Sequence, residues 1–155
     1  MHYLVRQALR ADWKPAMELA WRTFSEYDAA DYTPEGIENF RQFLHDETLY
    51  QMFCTGSYRL FVSTLYGRIV GMLTLRERAH ISLLFVDGTC HRNGMGSALV
   101  EMAAETVAGE QRGTCLTVHA SPYALDFYRK LGFSETGAER IQEGVRYTPM
   151  ILNLE

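Results

Sequence analysis

The stretch His80 to Val100, HISLLFVDGTCHRNGMGSALV, gathers the residues best able to do chemistry. An apolar, β-favouring run, Ile81 to Val86, breaks at Asp87-Gly88, and His91-Arg92-Asn93-Gly94-Met95-Gly96 then leads into a helical run, Ser97 to Glu110. A strand, a glycine-bearing loop and a helix start in that order make a cradle for a phosphate group. The first N–H groups of a helix have no internal partner, and the helix dipole adds positive charge there. Gly94 and Gly96 remove the side chains that would hold an anion away, and Arg92 adds a cation at the rim. A P-loop is excluded because Gly96 is followed by Ser97-Ala98 where Lys and Ser/Thr are required. A dinucleotide fingerprint is excluded because Leu99 stands where a third glycine or alanine is needed. On these residues alone, an ordinary strand-to-helix turn stays open as the alternative.

A second stretch, Ser121 to Phe133, reads SPYALDFYRKLGF. Ala124, Phe127 and Leu131 fall at i, i+3 and i+7, so they share a helix face directed at the core. Tyr128 lies about a quarter-turn away, where its hydroxyl either borders a groove or is buried as a structural group. His80, at the start of its strand, titrates near neutrality and suits a base or a water relay, or else simply ends the strand. Between Ser25 and Thr33, Glu26, Asp28 and Asp31 alternate with Tyr27 and Tyr32. Such a lip attracts a cation through charge and aromatic faces, the alternative being a solvated loop.

These groups need a scaffold. Tyr3 to Leu9 predicts a first strand, and Asp12 an N-cap for a helix from Trp13 to about Tyr27. Thr33-Pro34 starts a second amphipathic helix carrying Ile37, Phe40, Phe43 and Leu44. Leu60 to Leu65 and Ile69 to Leu75 flank Tyr66-Gly67-Arg68 as a hairpin, and the strand at His80 completes a meander. A strand from Thr114 to His119 and a helix from Ser121 to Gly132 follow. The tail predicts two strands around Gln142-Glu143-Gly144, with Pro149 marking an edge or a bulge in the last.

At 155 residues and 47% apolar content, residues 1–155 fit one globular domain. A net charge of −4 argues against nucleic-acid binding. Cys54, Cys90 and Cys115 are odd in number and lack CxxC spacing, which points away from disulfides or a metal site and towards the cytoplasm. No apolar run approaches membrane-spanning length, and no signal-peptide core opens the chain.

The loop, His91 to Gly96, resembles the acetyl-CoA pyrophosphate loop of the GNAT N-acetyltransferases, with His91 in the usual Gln/Arg slot. The second stretch is similar to the family's C-terminal signature at Ala124, Phe127, Tyr128, Lys130, Gly132 and Phe133, with Ser121 in its Asn slot. The resemblance implies an α/β fold of the α+β type: a mixed, mostly antiparallel sheet with helices on both faces and two central strands splayed apart. It implies that Leu84, Phe85 and Val86 line the pantetheine arm and that His91, Arg92, Asn93, Gly94, Met95, Gly96 and Ser97 hold the pyrophosphate. Ser121, Ala124 and Tyr128 would complete the cofactor site.

The implied activity is acetyl-CoA-dependent acetylation of a primary amine, releasing coenzyme A, with no metal. Leu84 would stabilise the attacked carbonyl through its N–H, Tyr128 would protonate the sulfur, and His80 would serve as base. Tyr27, Asp28, Asp31 and Tyr32 would receive a small-molecule amine. Acetylation of a protein lysine or N-terminus is the alternative, and a non-catalytic CoA sensor the rival from another class. A homodimer is the family-level expectation for assembly.

Overall fold

The computed structural model describes residues 3–90, 93–111 and 114–154. Strand β1 (Leu4–Gln7) leads through a tight turn into α1 (Trp13–Thr23), followed by α2 (Pro34–Leu44) and α3 (Glu47–Thr55). Strands β2 (Tyr58–Leu65), β3 (Arg68–Arg76) and β4 (His80–Val86) form an antiparallel meander. Helix α4 (Met95–Glu110) returns the chain to β5 (Cys115–Ala120). After α5 (Leu125–Lys130) come β6 (Ser134–Glu135), β7 (Arg140–Gln142) and β8 (Val145–Asn153).

The sheet runs β1-β2-β3-β4-β5-β8-β6, with β7 paired to β8 off that path. Among the described strands every pairing is antiparallel except β4 with β5. Helices cover both faces, as expected. On one face, Leu99 and Ala103 of α4 and Tyr128 of α5 pack with Phe61, Leu73 and Val118. On the other, Leu19 and Ala20 of α1 join Leu44, Leu49, Val62 and Met72. Fully burying the larger aliphatic side chains among these contributes roughly 1.5–3 kcal/mol each, so each layer holds its helices against the sheet.

Local chemistry sets the element ends. The Thr33 hydroxyl accepts the Gly36 N–H at 3.0 Å, and Pro34 occupies the first helical position of α2. Helix α3 has no counterpart among the elements predicted from sequence. Asp46 caps it, accepting the Thr48 N–H at 2.7 Å, and Gly56 closes it at φ 90°. The polar stretch after α1 is not an open loop: it continues as a π-helical turn, Phe24–Asp28, and a 3-10 turn, Ala29–Asp31.

Two further expectations are corrected. Asp12 makes no side-chain cap on α1, because its carboxylate pairs with Arg6 at 2.7 Å and accepts the Leu9 N–H at 2.6 Å. Pro149 lies in an interior strand, flanked by β5 on one side and β6 and β7 on the other. Its carbonyl accepts the Thr136 N–H at 2.9 Å on the β6 side. In an antiparallel strand N–H and C=O of one residue point the same way, so the missing donor falls in the gap between β6 and β7.

Candidate active site

Strands β4 and β5 pair only at His80 with Thr117 and Ile81 with Val118, then part. A β-bulge starts the separation: Thr74 faces Leu83 and Leu75 faces Ile81, leaving Ser82 unmatched. Beyond the bulge, the Asp87 N–H donates to the Val70 carbonyl at 2.7 Å, towards β3. Alternate residues point alike along a strand, so Leu84 turns its N–H towards the opening where β5 has diverged. A cleft of about 660 Å³ occupies that opening. Leu84 and Phe85 form one wall, and Ser121, Ala124 and Tyr128 another.

A buried hydroxyl network anchors the bulge. The Tyr58 hydroxyl donates to Ser82 Oγ at 3.0 Å and lies 2.7 Å from Thr74 Oγ1. Tyr58 is 1% exposed, and burial raises the pKa of its phenol. Ser82 itself lines the cleft.

The glycine loop expected to cradle a phosphate follows β4, whose Leu84 and Phe85 line the cleft. Gly94 takes φ 79° at the N-cap of α4 and contributes no capping side chain, so the first N–H groups of the helix are left to other acceptors. A Cβ on Gly96 would meet Phe127 at 3.2 Å, so only glycine keeps this surface open at its present width. Met95, by contrast, is 1% exposed and buries its side chain with Val70 and Cys90, which leaves only its backbone for a ligand. Val86 packs in the same layer. Ser97 lies in the first turn of α4, and Asn93 just before it. His91 and Arg92 lie outside the described residues.

Tyr128 lines the cleft while its ring packs edge-on against Phe127 and Phe133, and burial pushes its phenol well above the usual range. Ser121 Oγ accepts the Ala124 N–H at 3.3 Å and so shapes the turn into α5. His80 is not among the residues lining the cleft. Its Nδ1 lies 2.8 Å from Thr117 Oγ1, and burial, with the Arg76 charge next, lowers its pKa to about 4. His119, the last residue of the strand predicted from Thr114, lines the cleft and stands edge-on to His80 at 4.6 Å between ring centroids.

The acidic lip divides. Asp28, Asp31 and Tyr32 line the cleft beside Phe24, Phe40 and Phe43. Burial, then the Asp31 charge, raises the Asp28 pKa, and the nearby Asp31 carboxylate raises that of the Tyr123 phenol, which lines the same cleft. Tyr27 goes elsewhere. Its hydroxyl would sit 2.0 Å from a Cβ on Gly88, so the ring packs over the start of the glycine loop. Tyr123, Arg146 and Ser82 line the cleft without any local sequence signal, because a turn, a hairpin and a bulge carry them there.

The family model of the acetyltransferase (GNAT) domain matches residues 28–154. The chain belongs to the GNAT acetyltransferase family. Its fold is that of a GCN5-related N-acetyltransferase from Rhodopseudomonas palustris, at TM-score 0.81 and 25% identity over 99% of this chain and 97% of that one. The PaiA N-acetyltransferase of Thermoplasma acidophilum, solved with coenzyme A, superposes at TM-score 0.79 with 14% identity over 99% of both chains. An aminoglycoside 6'-N-acetyltransferase, also solved with coenzyme A, reaches 0.68 at 12% identity over 98% of this chain and 97% of that one. No curated protein sequence matches this GNAT chain significantly. Among the described residues, no helix is long and apolar enough to cross a membrane, and no cluster of His, Cys, Asp and Glu is arranged to hold a metal ion.

Proposed function

We propose that this GNAT acetyltransferase moves an acetyl group from acetyl-CoA to the primary amine of a small molecule. The observation that carries this reading is the parting of β4 and β5 after two residue pairs, which opens a cleft beside an uncapped helix N-terminus. Gly94 and Gly96 keep that terminus open to a pyrophosphate, and the Leu84 edge of β4 offers hydrogen bonds to an amide-bearing arm. Residues 91–97 would hold the phosphates, and Leu84, Phe85, Val86, Ser121, Ala124 and Tyr128 the arm and its sulfur. Bound acetyl-CoA would supply an acetyl thioester open to direct attack by a neutral amine.

The chain's own groups then divide the work. The Leu84 N–H donates to the oxygen on which charge builds. Tyr128, its proton retained by burial, donates that proton to the departing sulfur. Asp28 and Asp31 draw the acceptor in as its ammonium, and the rings of Tyr32 and Phe40 exclude water around it. An alkylamine has a pKa of about 10.4, so roughly 4–5 kcal/mol separates it from the reactive form at pH 7. Deprotonation is therefore the costly step.

Steady-state turnover of acetyl-CoA with a panel of amines tests the reading. Small alkylamines should be acetylated, and the Asp28→Asn/Asp31→Asn variant should show a raised acceptor KM at low salt that the wild type approaches as salt is added. Turnover with lysine-bearing peptides alone would overturn the small-molecule assignment.

A further inference from the structure

We infer that His119 is the group that takes the proton from the acceptor's ammonium before attack, an inference that rests on the N-acetyl-transfer reading above. The first support is position. His119 is an exposed side chain of β5 that lines the cleft, on the same wall as Ser121 and close to where β4 and β5 part. His80, at the start of β4, stands behind it and does not line the cleft. The second support is fixation. The His119 ring stacks on Tyr147 at 4.2 Å and 21°, and meets His80 edge-on at 4.6 Å and 70°. His80 is itself held to Thr117 at 2.8 Å, so the pair presents one imidazole to the cleft and braces it with another.

The third support is the charge around the ring. Arg76 of β3 and Arg140 of β7 bear on His119, His80 faces it from β4, Tyr147 of β8 stacks on it, and Arg146 lines the same cleft. Desolvation first, then Arg76 and Arg140, disfavours its imidazolium form, so the ring is unprotonated at neutral pH and ready to accept. Asp28 and Asp31 line the same cleft and favour an arriving cation. Carboxylates collect the ammonium, and a neutral ring among cations relieves it of its proton.

The balance is closed. One N–H bond of the ammonium breaks and one N–H bond forms on His119, leaving a neutral amine and an imidazolium. The amine nitrogen forms the C–N bond as the C–S bond breaks, and the sulfur takes the Tyr128 hydroxyl proton. The second amine proton returns to the Tyr128 oxygen, and His119 releases its proton to solvent. No oxidant, metal or further reactant enters.

The test is kcat/KM for an acetylated alkylamine against pH, for wild type, His119→Gln, His119→Asn and His80→Gln, with coenzyme A affinity and melting temperature as controls. Wild type should show an acid limb with an apparent pKa below the ordinary histidine value of about 6.5. Both His119 variants should lose about 10²–10⁴-fold at pH 7. Their residual rate should rise about tenfold per pH unit towards the pKa of the amine, about 10.4, while coenzyme A affinity is kept. His80→Gln should keep the limb, displaced but present. A His119 variant that retains the wild-type limb and rate overturns the inference, as does loss of the limb only in His80→Gln. A wild-type chain that acetylates no amine overturns the N-acetyl-transfer reading and this inference together, which separates the two failures.

Discussion

Taking one oxygen from Tyr128 separates its packing from its chemistry. The ring wedges between Phe127 and Phe133, so Tyr128→Phe should keep the melting temperature. Its kcat should fall by about 10²-fold, the low end for a general acid, because a thiol with a pKa of about 8.5 already leaves fairly well. The loss should be greatest at low pH, and a folded variant with wild-type kcat throughout would return Tyr128 to a purely structural role. His80 carries a different consequence. Its pKa falls to about 4 in the folded chain, so the unfolded chain binds the extra proton first as pH drops. Its contribution to stability is therefore whole above pH about 6.5 and is lost as pH falls towards 4. Solvent screening of this half-buried ring limits the loss to about 1–2 kcal/mol. Thermal denaturation of wild type and His80→Gln across that window should show the two curves converging at acid pH.

At the scale of elements, the N-terminus of α4 is the proposed anion device. Gly96→Val would force a branched side chain against Phe127, already 3.2 Å from a bare Cβ, and raise a wall over the first turn of α4. Calorimetry should show coenzyme A affinity reduced at least tenfold while the far-ultraviolet circular dichroism is kept; unchanged affinity would remove the loop from the site. The arrangement of this loop was legible in the sequence because strand, glycine pair and helix start are contiguous. Tyr128 was legible for the same reason, as part of one short helix. Ser82, Tyr123 and Arg146 were not. The first reaches the cleft through a change of register between β3 and β4, and the others stand on a turn and on a strand whose pairing is non-local. Tyr27 and Tyr32 sit five residues apart and look equivalent in sequence. The π-helical turn sends one to Gly88 and the other to the cleft, a difference no local pattern encodes. Helix α3 had its signals, Asp46 before it and Gly56 after, but it is only nine residues long and its apolar positions lie close together.

At the scale of the molecule, the sheet is two leaves joined by one short parallel ladder. The β1–β4 leaf carries α1 to α3, the β5–β8 leaf carries α5, and α4 bridges them. A ligand laid along the gap would supply hydrogen bonds that a fully zipped sheet would have made within itself, which would couple binding to cohesion. Saturation at a hundred times Kd should stabilise the fold by about 2.7 kcal/mol, which for a chain of this size raises the melting temperature by several degrees. Coenzyme A that binds by calorimetry yet leaves the melting temperature unmoved would refute the coupling.

The extra residue at Ser82 has a topological consequence. Side chains in a strand alternate with period two, so one surplus residue inverts the phase of everything after it. With Ser82 in place, Leu83 and Phe85 pack towards α1 to α3, and Leu84 and Val86 towards α4. Shortening the chain by that single residue would exchange the two sets, turning the aromatic ring of Phe85 into the α4 layer and the Leu84 amide back towards β3. The bulge thus works as a parity bit: one residue of contour length decides which face of β4 the helices see and which edge is left for a guest strand.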